Sequence, residues 1–256
     1  VRASELFDVS GEVVLVTGGG GGIGVAMAGV LALNGAKVAL ADIDLEVAQA
    51  AAASLCSGGA TAVSVELDVR DEQMIVAAFD RVEAELGRVS VLINNAGVAH
   101  RDKAVSLPAQ TWRNVMDVNV DGAFAVAQEA ARRMIRYGNG GSIINISSIL
   151  SEIPIRQVAA YSTSKAAVTQ MTRCLALEWA KHQIRVNEIR PGWFETALTG
   201  PFLKGPGAKV MAGQNPMGRL GDGSDLAGAV LLLASGAGKF MTGSAITIDG
   251  GHSIGR

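Results

Sequence analysis

The feature that most constrains this chain is a run of five glycines, Gly18 to Gly22, wedged between two apolar stretches. Val13-Val14-Leu15-Val16 precedes it and reads as a short buried strand. Ile23 to Asn34 follows and reads as a helix, which Gly35 ends because glycine is free to take a left-handed backbone. A strand that runs through glycines into a helix lets the backbone approach a pyrophosphate closely. The free N–H groups and positive dipole of the helix start then face the phosphates. The segment Thr17 to Gly24 fits G-x-G-x-x-G through Gly19, Gly21 and Gly24, and also G-x-x-x-G-x-G through Gly18, Gly22 and Gly24. Spacing alone leaves both open. No Gly-Lys-Ser/Thr follows, which excludes a phosphate-loop NTPase. The plain alternative is a flexible glycine turn with no ligand, and the flanking strand and helix weigh against it.

The same strand-helix alternation continues along the chain. Strands are expected at Lys37–Leu40, Thr61–Leu67, Val89–Ile93, Ser142–Ile146, Ile184–Ile189 and Ala245–Ile248. Between them lie helical stretches at Leu45–Leu55, from a cap at Asp71 to Leu86, at Pro108–Arg136, Val158–Lys181 and Ser224–Ala234. Apolar strands of this length alternating with helices predict an α/β fold, a single doubly wound parallel sheet of about seven strands covered on both faces. Residues 1–256 read as one domain, without linker, repeat or low-complexity tract. The loosest stretch, Leu198 to Asn215, reads as a lid, placed near 196–215.

Lys and Arg total 22 against 24 Asp and Glu, a net charge of −2, with no basic stripe. Nucleic acid and anionic membranes are therefore not expected partners. No apolar run approaches the length of a membrane span, and the N-terminal residues lack a signal core. Cys56 and Cys174 sit among alanine and leucine and read as small buried hydrophobes, which fits a reducing cytoplasm. The three histidines show no metal-ligand spacing, so no metal is expected.

Asp42 follows the second strand. A carboxylate there accepts hydrogen bonds from adenosine ribose hydroxyls and repels a 2′-phosphate. With no Arg or Lys inside the glycine loop, NAD is expected over NADP; the alternative for Asp42 is a helix cap shared with Asp44. Tyr161 and Lys165, four residues apart on one expected helix, share a face. A nearby ammonium lowers a tyrosine pKa, which suits the phenol to moving an alcohol proton. Ser147-Ser148 end the fifth strand, where the carboxyl ends of such sheets build ligand sites; turn serines are the alternative.

Thr17-Gly-x-x-x-Gly22-Ile23-Gly24, Asn94-Asn95-Ala96-Gly97, Asn119, Ser148, Tyr161-x-x-x-Lys165 and Pro191-Gly192 occur in this order, with Ser148 thirteen residues before Tyr161. In this the chain resembles the short-chain dehydrogenase/reductase family over nearly its whole length. The resemblance implies hydride transfer between a nicotinamide and a secondary alcohol or ketone. It implies that Tyr161 is proton donor and acceptor, that Lys165 binds the nicotinamide ribose and tunes Tyr161, and that Ser148 orients the carbonyl. Asn119 would hold the lysine through a water and a kinked helix. Gly18, Gly21, Gly22, Ile23 and Gly24 would meet the pyrophosphate, Asp42 the adenosine ribose, and Asp68-Val69 the adenine. Asn94, Asn95, Ala96 and Gly97 would line the cofactor, and Pro191, Gly192 and Thr196 its carboxamide end. Glu188 and Arg190 depart from the small residues common there.

Substrate-facing candidates by position are Ser148, Leu150, Ser151, Ile155, Val158, Tyr161 and Trp193. Arg156 and His100 have the chemistry to bind a carboxylate or hydroxyl groups, though such residues are more often solvated loop positions. The overall pattern is similar to members acting on polyols and sugar acids, and also to 3-oxoacyl thioester reductases. A member using the cofactor transiently and a non-catalytic nucleotide-binding scaffold are the other readings, and the intact Ser148, Tyr161 and Lys165 weigh against the scaffold. Family resemblance also implies a homotetramer.

Overall fold

The computed structural model describes residues 2–196 and 206–255. After a short helix, α1 (Ala3–Leu6), the chain runs β1 (Val13–Thr17), α2 (Gly22–Leu33), β2 (Lys37–Asp42), α3 (Leu45–Ser57), β3 (Ala62–Glu66), α4 (Glu72–Glu85) and β4 (Val91–Asn94). Then come α5 (Ala109–Met116), a π-helical turn (Asp117–Gly122), α6 (Ala123–Tyr137), β5 (Gly141–Ile146), α7 (Ala159–Trp179) and β6 (Ile184–Pro191). Beyond residue 205 lie α8 (Pro206–Gln214), α9 (Ala227–Ala234) and β7 (Ala245–Ile248).

The seven strands form one sheet in the order β3-β2-β1-β4-β5-β6-β7, with every pair parallel. Strand order reverses between β1 and β4, which opens a crevice at their carboxyl ends. The period-2 alternation of a strand divides the core into two layers. Val13 and Leu15 join Ala39, Leu92, Ile143 and Val186 against α4, α6 and α7. Val14 and Val16 join Val38, Leu40, Ile93, Ile144 and Ile189 against α2 and α9. With both faces covered, the central strands are mostly apolar, and the polar side chains they carry, Thr17, Asn94, Ser142 and Asn145 among them, are buried.

Helix starts follow their caps. The Asp44 carboxylate accepts from Glu46 N (3.1 Å) and Val47 N (3.2 Å), and Asp71 does the same for Gln73 (2.8 Å) and Met74 (3.1 Å). Asp44, then, caps α3, and Asp42 is left for another task.

The expected helix over Pro108–Arg136 is interrupted by the π-helical turn. Asn119 turns its amide inward there to bond the backbone of Val98, and Gly122 lies so close to Val69 that a Cβ would sit 2.6 Å from Cγ2. The stretch expected from Ser224 to Ala234 opens as a 3-10 turn, Gly223–Leu226, capped by Asp222. Both cysteines are exposed rather than buried, because each lies on the outward face of its helix. Residues 197–205 of the expected lid, Leu198 to Leu203 among them, lie outside the described residues, while 206–214 is helical. Among the described residues no helix is long and apolar enough to cross a membrane.

Candidate active site

A cavity of about 580 Å³ runs along the carboxyl ends of β1 to β6. Gly18, Gly21, Gly22 and Ile23 form one wall, with Asp42 at one end of it. Asp68, Val69, Asn95, Ala96 and Gly97 continue the lining, and Ser148, Tyr161, Lys165, Pro191, Gly192 and Thr196 close the other end. Residues named from well-separated stretches of the sequence are thereby brought to one surface.

The glycine loop is a cradle of backbone. Gly18 (φ 60°) and Gly22 (φ 56°) take left-handed conformations, and a Cβ on Gly24 would run into the Gly18 carbonyl. The G-x-x-x-G-x-G spacing through Gly18, Gly22 and Gly24 is thus the one the backbone uses, and Gly24 acts from beneath the cavity wall. Above Gly21 a Cβ would meet nothing within 4 Å, leaving open space where α2 begins. These residues fit a dinucleotide: backbone N–H groups at a helix start, with open space over Gly21 and the Thr196 side chain beside Gly22.

Side chains brace this cradle from behind. Asn95 Nδ2 donates to the carbonyls of Thr17 (3.0 Å) and Gly18 (2.9 Å), while Thr17 Oγ1 accepts from the Asn95 and Ala96 N–H groups (both 3.0 Å). Asn94 is buried beneath, donating to Ala123 O at 2.6 Å. Asp42 Oδ2 accepts from Gly20 N at 3.0 Å, so the carboxylate that borders the cavity also pins the loop.

Arg70, which sequence reasoning passed over, reaches the cavity beside Asp68. Its Nε donates to Asp68 Oδ1 at 2.9 Å, and this hydrogen-bonded ion pair holds the Asp68 carboxyl below its usual range. The Asp68-Val69-Arg70 run was the available signal, a cation two residues after a carboxylate at a strand end.

At the other end, α7 carries Tyr161 and Lys165 one turn apart, with the ammonium 5.7 Å from the phenol ring centroid. Lys165 Nζ, on a residue only 5 % exposed, donates to Ile146 O of β5 at 2.7 Å. Burial pulls that ammonium down to about 8, and the charge of Glu188 opposes the fall. The expected lowering of the tyrosine is overturned. Burial pushes the Tyr161 phenol above its ordinary value, and only a hydrogen bond with Ser148 works the other way.

Ser148 Oγ also accepts from Leu150 N at 3.1 Å. Ser147 turns the opposite way and ties β5 to α7 through Lys165 O and Thr169 Oγ1 (both 3.1 Å). The kinked helix expected at Asn119 is present. The amide is 1 % exposed and committed to Val98 N (2.8 Å), Val98 O (2.9 Å) and Ser164 Oγ (2.9 Å), so it steadies the site from outside the cavity wall.

The substrate-side candidates scatter. Leu150 packs with Ile149, Val158, Ile155 and Tyr161 in a small apolar cluster off the main cavity. Trp193 donates its indole N–H to His252 Nε2 at 3.2 Å and lines a separate cavity of about 140 Å³. His100 and Arg156 are exposed, and Ser151 is half-buried with its hydroxyl on Ser148 O (2.7 Å).

A family described as "Enoyl-(Acyl carrier protein) reductase" matches residues 18–253. The chain is 35% identical to the 5-keto-D-gluconate 5-reductase of Escherichia coli (strain K12), over 98% of this chain and 99% of the relative. It is 36% identical to the D-threitol dehydrogenase of Mycolicibacterium smegmatis, over 97% and 95%. The chain belongs to the short-chain dehydrogenase/reductase family.

This short-chain dehydrogenase/reductase superposes on the crystal structure of a gluconate 5-dehydrogenase from Burkholderia cenocepacia J2315, solved in complex with NADP and tartrate. The TM-score is 0.94, with 35% identity over 99% of both chains. It is an oxidoreductase that uses a nicotinamide cofactor and acts on secondary alcohol or carbonyl groups of small molecules.

Proposed function

We propose that this enzyme oxidises a secondary alcohol of a polyol or sugar acid with NAD, through Ser148, Tyr161 and Lys165. The observation that carries the reading is one cavity with these three side chains at one end and the Asp42 carboxylate at the other. Relatives named for 5-keto-gluconate and threitol support the substrate class.

A bound nicotinamide supplies the hydride acceptor; the protein's part is to place the alcohol and move one proton. The glycine cradle and Asp42 hold the adenosine and pyrophosphate, and Pro191, Gly192 and Thr196 hold the carboxamide end. Ser148 donates to the substrate oxygen and Tyr161 takes its proton as the carbon loses hydride. Lys165, charged, favours the phenolate that must exist for this step, against the burial that raises its pKa. Asn119 holds α7 through Ser164.

NAD is favoured because Asp42 meets the cavity as a carboxylate, while Arg70, the cation nearest that end, is engaged with Asp68. NADP is the second reading, favoured by the same Arg70, should it turn from Asp68 to a 2′-phosphate, and by the NADP in the Burkholderia structure.

The same reading takes residues 1–256 as one domain with a lid near 196–215. It also takes the enzyme as a cytoplasmic homotetramer: Leu177 and Phe240 stand 83% and 101% exposed, apolar surface that subunit contacts would cover, and two exposed free thiols suit a reducing compartment.

The test follows cofactor absorbance with NAD and NADP separately against polyols, sugar acids, simple secondary alcohols, their ketones and 3-oxoacyl thioesters, with Tyr161→Phe as control. NAD-linked turnover of a polyol or sugar acid, lost in the control, supports the proposal. Turnover confined to NADP or to 3-oxoacyl thioesters sinks it.

A further inference from the structure

Val186, Glu188 and Arg190 alternate along the face of β6 that α7 covers. Val186 belongs to the core layer under α6 and α7, and Glu188 stands in register with Asn145, whose amide donates to Thr172 of α7 at 2.9 Å. A parallel register pair shares a face, so Glu188 points at α7 as well. It is 2% exposed and Arg190 5%. Arg190 Nε donates to Glu188 Oε1 at 2.6 Å, and its Nη1 pairs with Glu152, at the end of the turn that Ser148 opens. The second carboxylate oxygen, Glu188 Oε2, is buried with no hydrogen-bond partner among the described residues.

A buried carboxylate left half-satisfied is costly unless a positive charge lies within reach. Arg190 is one such charge. The other is Lys165, whose Nζ is bonded to Ile146 O, the strand residue next to Asn145. The titratable or charged groups around that ammonium are Tyr161 on α7 itself, and Glu188 with its partner Arg190 on β6. Among the described residues, the Ile146 carbonyl of β5 accepts from the ammonium, and Gly97 after β4, with Asn119 of the π turn against it, lies alongside; none of these titrates.

We propose that Glu188, held by Arg190, is a positioning residue whose buried carboxylate keeps Lys165 protonated at working pH, while Arg190 ties the Ser148 turn to β6 through Glu152. The ion pair thus links the two ends of the catalytic set from behind. Burial pulls the lysine down, and the Glu188 charge is the opposing influence on it. The inference deepens the reading in which charged Lys165 serves catalysis, but its test is independent of turnover.

The pH dependence of Lys165 acetylation by acetic anhydride, read by mass spectrometry on the peptide carrying Lys165, gives the midpoint of its amine in the protein without substrate. The expected wild-type midpoint is about 8. In Glu188→Gln it falls by about one pH unit, the low end of what an opposite charge at close range contributes, and Glu188→Asp restores most of it. The double variant E188A/R190A removes the pair together, which spares the fold an orphaned charge; losing the Arg190 cation offsets part of the loss of Glu188, so its midpoint falls by less, and that smaller fall decides the matter if Glu188→Gln does not fold. A midpoint unchanged in the variants that fold overturns the proposal. A midpoint that moves while the alkaline limb of kcat/KM stays fixed supports it and counts instead against the catalytic role assigned to a charged Lys165.

Discussion

Around β1 and β4 the cavity wall is backbone: Gly18 and Gly22 in left-handed conformations, with Thr17, Asn95 and Asp42 bracing them through bonds to main-chain groups. Around β5 and α7 the wall is side chain: Ser148, Tyr161 and Lys165, each buried or half-buried, with Tyr161 and Lys165 both shifted by burial. The first region must present N–H groups to a ligand that brings its own charge, so its design rule is the absence of side chains. The second must hold and move a proton, so its rule is which atoms stand where. Damage should therefore separate: changes in the first region weaken cofactor binding, and changes in the second slow chemistry on a cofactor still bound.

The largest expected effect is in the second region. Tyr161→Phe removes only the phenolic hydroxyl and should lower kcat by about 100- to 10,000-fold, the range of a lost general acid/base, in steady-state assays. Next comes Gly24→Val, whose side chain has nowhere to go beside the Gly18 carbonyl. Overpacking of about 1–3 kcal/mol should weaken cofactor binding about 5- to 150-fold in calorimetric titration. Asp42→Ala should reduce the ratio of kcat/KM for NAD over NADP by about tenfold, the worth of a charge-assisted hydrogen bond together with a removed repulsion. An unchanged ratio would strip Asp42 of its selective role. Asn95→Ala leaves the Thr17 and Gly18 carbonyls without their side-chain donor and loosens the cradle. It should raise the cofactor KM by about fivefold, with kcat unaltered.

The backbone region was the more legible in sequence, for a physical reason. Glycine spacing encodes a local conformation, and the strand before it and helix after it were readable from the same stretch. The choice between two glycine spacings was not readable, because it depends on the Gly18 carbonyl meeting Gly24 in space. Tyr161 and Lys165 were readable as a helical pair, but their electrostatics were not. The proximity of an ammonium predicted a lowered phenol, whereas dense burial raises it. The π turn escaped the periodicity of Pro108–Arg136 because its cause, the bonding of Asn119 to Val98, spans 21 residues. Position in the chain was weakest as a guide for Leu150 and Trp193, which follow cavity residues closely yet face an apolar cluster and a second cavity.

The most direct test of this division is equilibrium binding of NADH, read by its fluorescence, to the wild type, Tyr161→Phe and Gly24→Val side by side with turnover. The account predicts that Tyr161→Phe binds like the wild type while turning over almost nothing, and that Gly24→Val binds far more weakly. Loss of binding in Tyr161→Phe, or wild-type binding in Gly24→Val, would contradict it.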